Sequence, residues 1–206
     1  RRHLLLLVAR PGGDGQQEKH RYLCGHDERH WFVAAVPAIP GGVTTVERAL
    51  EALKPEAVRQ AQDRAAVRPK DRQKRSNRGF VRQGEWFFVP APGLEVTAPE
   101  VRRHEPLSRG GKPHRAELAV RRGGRTVYVC RRHPQGVTEA VYQRTLRQDE
   151  AARSWGWRVM RADPELYCQG RIRHPDHGTV VLRGWHRVLP NPESQAAWAP
   201  QMTFLD

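Results

Sequence analysis

Cysteine is scarce in this chain, and its three copies are far apart. Cys24, Cys130 and Cys168 form no Cys-x-x-Cys pair in 206 residues. A disulfide framework is therefore not expected, and the sequence reads as that of a cytoplasmic protein in a reducing compartment. Long apolar runs are missing too. None exceeds the run at residues 4–9, whereas a membrane-spanning helix needs about 20 apolar residues. No cleavage site follows that run, so it does not read as a signal peptide, and no membrane partner is expected. Several chemical signatures are also lacking: GxSxG, HExxH, the Walker phosphate loop and the dinucleotide fingerprint. Acidic residues are few, 22 against 36 Lys and Arg.

What is present is positive charge. The formal net charge is +14 and the pI about 10.9, which sets up a field that attracts polyanions. Most of the charge is Arg, whose planar fork contacts phosphate and guanine and stacks on bases. GC-rich coding explains part of the Arg bias but not the excess over Asp and Glu. The expected partner is nucleic acid. RNA is preferred over DNA, because no helix reads as a recognition helix and the charge is spread over loops and strands. The expected role is that of a binding protein within a ribonucleoprotein, with further protein partners there.

The charge is grouped. Arg68, Lys70, Arg72, Lys74, Arg75, Arg78 and Arg82 crowd into fifteen residues, and a flexible arm of this kind can order on a phosphate backbone. Arg102, Arg103, Arg109, Lys112 and Arg115 form a second group, and Arg121, Arg122, Arg125, Arg131 and Arg132 a third. Histidines gather in the C-terminal half. His174-Pro175-Asp176-His177 is the densest set, and His114, just after Gly110-Gly111, is a third candidate ligand if that loop folds back. Neutral imidazoles suit zinc, manganese or iron. The alternative function is thus a metal-dependent nuclease or other phosphoesterase built on His114, His174 and His177. A bare β-turn carrying exposed imidazoles accounts for the same residues. Cys24-x-His26 with His30 is another ligand set, without zinc-finger spacing. Trp86, Phe87, Phe88, Trp155, Trp157, Tyr167 and Trp185 read mainly as core, and an exposed aromatic beside Arg would make a base-stacking platform.

The pattern predicts an α+β protein in four parts. Residues 1–66 form a small unit, with strands at 4–9 (buried), 21–24 and 31–36. A helix capped by Thr44-x-x-Glu47 follows, and then a helix opening at Pro55. Residues 67–78 are a basic linker or a helix extension. Residues 79–190 form a β-rich, barrel- or sandwich-like domain. In it 85–89 is a strand, 117–121 and 125–130 are a hairpin around Gly123-Gly124, and 138–154 is a helix. Strands follow at 157–160, 167–173, 179–182 and 185–188. Residues 191–206 read as an irregular tail.

Arg82-Gln83-Gly84-Glu85 followed by Trp86-Phe87-Phe88-Val89-Pro90 resembles the opening of small uncharacterised β-rich proteins of bacteria and phages. These begin with an RQGD-like turn and an apolar strand ending in Pro. They also carry a Gly-x-x-His step in mid-chain and a His-x-x-His step before the last strands, here Gly111 to His114 and His174 to His177. The resemblance spans residues 80–191, does not include the stretch 138–154, and implies no activity.

Overall fold

The computed structural model describes residues 3–11, 17–27, 30–37, 39, 41–108, 112–192 and 204–205. Among them the fold is mixed α+β with strand predominating, arranged as three antiparallel sheets and three α-helices. Of the barrel- or sandwich-like arrangements expected for residues 79–190, a closed barrel is not formed: strand order runs linearly from edge to edge in each sheet.

The first sheet is β1 (His3–Pro11), β2 (Gln17–Asp27) and β3 (His30–Val36), in that order. Helix α1 (Val46–Ala52) packs on it, burying Ala49 and Ala52 with Leu23, Ala34, Val43 and Leu53. Two expectations are corrected here. The run at 4–9 is a strand, but Leu4, Leu6 and Leu7 are 57%, 41% and 58% exposed: Leu4 and Leu6 lie on the face opposite Leu5, which packs against the α1 core, and Leu7 shares the face of Leu5 but is not part of that core. The α1 cap is Thr45, not Thr44: its hydroxyl accepts from Arg48 N–H at 3.2 Å. Helix α2 (Glu56–Arg64) starts after Pro55 and buries Val58, Ala61 and Gln62 against Phe80, Phe87 and Val89.

Residues 67–78 are fastened to α1 and α2. Buried Lys54 Nζ donates to the Arg72 carbonyl at 2.8 Å, to Gln62 Oε1 at 3.1 Å and to Glu51 Oε1 at 2.7 Å. The Arg72 side chain answers Asp63 at 2.7 Å and Glu51 at 3.4 Å. Arg68 and Lys74 both pair with Asp71.

The six-stranded sheet runs β4 (Val81–Gln83), β5 (Trp86–Pro90), β12 (Val180–Pro190), β11 (Glu165–Arg173), β7 (His114–Arg122), β6 (Arg102–Leu107). Its core is Trp86, Phe88, Leu107, Ala116, Ala119, Cys168, Ile172, Leu182 and Val188. The third sheet runs β13 (Phe204–Leu205), β10 (Arg158–Ala162), β8 (Arg125–Cys130), β9 (His133–Val137). Helix α3 (Glu139–Gln148) lies beside it.

Several boundaries differ from the sequence pattern. No hairpin forms around Gly123-Gly124, because both edges of β7 are taken by β6 and β11, so β8 pairs with β9 and β10 instead. The two glycines, at φ 68° and 77°, carry the chain from one sheet to the next. A Cβ on Gly124 would come within 2.6 Å of the Ala162 carbonyl oxygen. The helix expected at 138–154 ends at Gln148 and gives way to a 3-10 turn, Glu150–Ser154, where Asp149 accepts from Ala151 N–H. The strands expected at 179–182 and 185–188 are one strand, β12, with Gly184 at φ 96° absorbing its bend. Most of the tail expected to be irregular lies outside the described residues, and Phe204–Leu205 pairs with β10.

Candidate metal centre

Three separate stretches of chain meet at one end of the six-stranded sheet: the turn between β4 and β5, the start of β7, and the loop joining β11 to β12. His114 opens β7, and His174 and His177 sit in the loop. One nitrogen from each imidazole lies within 4.8 Å of the others, the one such grouping of potential ligands among the described residues. The rings stack, with centroids 4.2 Å apart for His114–His174, 4.5 Å for His174–His177 and 5.5 Å for His114–His177.

The turn residues hold this arrangement. Gln83 is buried, and its side-chain amide donates to the Gly178 carbonyl at 2.6 Å and the Ile172 carbonyl at 3.3 Å. It thereby straps both ends of the His174–His177 loop to the turn. Arg82 Nε closes the turn on the Gly84 carbonyl at 2.8 Å, with its guanidinium over Phe87. Gly84 has φ 56°, and a Cβ there would stand 2.8 Å from His177 Nε2 and 3.3 Å from His114 Nε2. The two Nε2 atoms therefore both face the Gly84 backbone. Glu85 Oε1 lies 3.8 Å from the other His114 nitrogen, Nδ1. Across the site, Lys112 pairs with Asp176 at 3.1 Å.

His114 is fully buried, and neither ring nitrogen has a hydrogen-bond partner; Gln83 Oε1 and Trp86 Nε1 beside it are also buried and unpartnered. Buried polar groups are normally satisfied, and leaving one unpaired costs about 1–3 kcal/mol. Burial, then the charges of His174 and His177, pushes the His114 imidazole down to about 3. It is neutral at pH 7, the state in which a lone pair can bind a cation. His174 is differently engaged. Its Nδ1 accepts from Asp176 N–H at 3.1 Å, so Nε2 carries the proton and donates to the Lys112 carbonyl at 3.0 Å. A cation takes one of these nitrogens by displacing that partner. Tetrahedral zinc with bonds of about 2.0–2.1 Å sets its nitrogens about 3.4 Å apart. To hold such an ion the imidazole nitrogens, now up to 4.8 Å apart, would have to close by up to about 1.4 Å.

The basic residues are distributed around the molecule. Arg102 and Arg103 are exposed on the edge strand β6; Arg109, with Gly110 and Gly111, lies outside the described residues. Arg115 is exposed and directly opposite exposed Arg173, a like-charge cross-strand pair that destabilises the sheet locally. Lys70, Lys74 and Arg78 are exposed, while Arg75 is half-buried and desolvation with the Arg82 charge holds its pKa down. Of the third group, Arg121 and Arg122 are committed to Glu105 and Glu100. In the Cys24–His26–His30 set, the His30 side chain lies outside the described residues, and Cys24 and His26 share a face of β2.

Sequence reasoning named the three histidines and missed Gln83 and Glu85 as their supports. The sequence signal for these two was the RQGE turn itself, whose partners are far away in the chain. Compared with protein-family models, with curated proteins and with solved structures, the chain matches none of them.

Proposed function

We propose that the protein is a nucleic-acid-binding phosphoesterase whose centre is a divalent metal held by His114, His174 and His177. The observation that carries this reading is the convergence of the three imidazoles around a buried, neutral, unpartnered His114. A set of three protein ligands is the pattern of a catalytic rather than a structural zinc site. A metal held there by the three imidazoles would supply Lewis-acid chemistry toward a phosphoryl oxygen and a bound water. Glu85, with Oε1 3.8 Å from His114 Nδ1, is near enough to accept that N–H after a small shift, the role carboxylates play for metal-bound histidines. The Arg115–Arg173 pair supplies phosphate contacts on neighbouring strand positions. RNA is the preferred polyanion, because the positive charge is spread over loops and strands rather than along one helix.

The test is metal analysis of the purified protein, followed by cleavage of labelled RNA and DNA with zinc or manganese added. One metal per chain and cleavage that His114→Ala and His174→Ala abolish support the reading. Absence of both metal and cleavage rejects it. A second reading, a purely binding component of a ribonucleoprotein, is favoured by the exposed arginines and by the fact that both nitrogens of His174 are already hydrogen-bonded. Retained RNA binding without metal or cleavage would select it.

A further inference from the structure

Helix α3 has no fully buried residue. It meets the third sheet through an aromatic contact: Tyr142 stacks on Tyr128 with centroids 4.1 Å apart and planes within 5°. Tyr142 then meets Trp157 edge-on at 5.0 Å. Trp157 stacks with His133 at 5.4 Å and Trp155 at 5.9 Å, and is pinned by its Nε1–H to the Ala152 carbonyl at 2.8 Å. All five rings are only half-buried. A packed core would cover such rings; here an aromatic ladder keeps contact with solvent. The exposed Arg132 guanidinium sits 4.3 Å over Trp155.

The surroundings are basic. Residues 125–161 contain eight Arg against three acidic residues. Arg131, Arg132, Arg144, Arg153 and Arg158 are exposed, and none forms an ion pair among the described residues. An open groove between α3 and the 3-10 turn, lined by Gln143, Leu146, Arg147, Glu150 and Arg153, extends the surface along the helix.

We infer that this aromatic and arginine surface binds unpaired nucleobases, so that the chain takes single-stranded nucleic acid. The inference rests on the nucleic-acid part of the proposed function. Base faces stack on Trp, Tyr and His rings, and Arg both stacks on bases and pairs with phosphate. A duplex keeps its base faces inside its own stack and cannot offer them. Unpaired arginines beside half-open rings match the alternation of phosphate and base along a single strand. The surface uses no residue of the histidine centre.

The test uses the full chain and two labelled probes of about a dozen nucleotides, an oligouridylate and an RNA duplex of similar length, followed by anisotropy. The single strand should bind about tenfold or more tightly than the duplex. Trp155→Ala, and separately Arg132→Gln with Arg153→Gln, should each weaken single-strand binding by about tenfold, the scale of one stacked base, and leave duplex binding unchanged. Equal affinity for the two probes, or full single-strand affinity in folded Trp155→Ala protein, overturns the inference. If Trp155→Ala does not fold, the exposed arginine pair decides: full affinity in that variant overturns it. Salt-dependent binding of both probes without preference removes this surface but leaves the nucleic-acid reading standing; no binding of either probe removes both. Absence of metal and cleavage with Arg132-dependent single-strand binding retained supports this surface and rejects only the phosphoesterase.

Discussion

Replacing Gly84 by Ala tests whether the two Nε2 atoms share an ion. The residue sits at φ 56°, where an L side chain costs about 1–2 kcal/mol. The new methyl would also lie 2.8 Å from His177 Nε2 and 3.3 Å from His114 Nε2. His177 is half-buried on a loop and can swing away; His114 is fully buried and cannot. The backbone penalty alone lowers the melting temperature by roughly 2–8 °C for a chain of this size. Gly123→Ala is the control, because Gly123 has φ 68° and nothing within 4 Å of its Cβ position. Without metal, measured by calorimetry after chelation, Gly123→Ala should show the backbone penalty alone and Gly84→Ala at least as large a loss. Only Gly84→Ala should lose the stabilisation that added zinc or manganese gives the wild type by mass action. Equal metal stabilisation in Gly84→Ala and wild type would refute a shared ion beside Gly84.

Three further outcomes follow from other parts of the fold. Lys54→Met removes three hydrogen bonds, to Glu51 of α1, Gln62 of α2 and the Arg72 carbonyl of residues 67–78, and should cost about 2–3 kcal/mol in urea unfolding; a loss below about 0.5 kcal/mol refutes that role. His186 is buried on β12, and burial lowers its pKa. Its folded form stays neutral while the unfolded form takes a proton near pH 6.5, so its contribution is whole above that pH and falls by up to about 1.4 kcal/mol per unit as pH drops toward the folded value. His186→Gln should flatten that part of the pH–stability curve, and an unchanged curve counts against it. Replacing Lys70, Lys74 and Arg78 with Gln, with Arg72 left in place to keep its ion pairs, should weaken RNA binding. The slope of log affinity against log salt should shrink by about 0.7 for each phosphate no longer neutralised; an unchanged slope in anisotropy titrations shows that these side chains touch no phosphate.

Local pattern carried the strands and helices well where one chemical signal dominated. Trp86 to Val89 read as a strand, and Pro55 marked the start of α2, because both depend on neighbouring residues. Gly123-Gly124 misled because the pair is equally compatible with a hairpin and with a crossing between sheets. The choice was made by β11, more than forty residues later, which occupies the edge that β8 would have used. The exposure of Leu4, Leu6 and Leu7 was illegible for a similar reason: a run of leucines does not say how much of each face of its sheet is covered. The three histidines were legible as a set because imidazole is chemically distinctive and two of the three stand only three residues apart. Their supports were not, because Gln83 and Glu85 look like ordinary turn residues until the loop around His174 arrives beside them.

The Gln83 strap also has a consequence in time. Its two acceptors are 89 and 95 residues further along the chain, and closing so long a loop is entropically slow compared with forming β4–β5 or α2. On a ribosome, His114 emerges and β7 can pair with β6 well before residue 178 exists. Because β12 and β11 lie between β5 and β7 in the sheet, the imidazole waits apart from the Gly84 turn as well as from His174 and His177 until the last hairpin closes. Assembly of the histidine centre is therefore a late event in biogenesis, and a chain truncated before β11 should emerge with His114 and the Gly84 turn still apart.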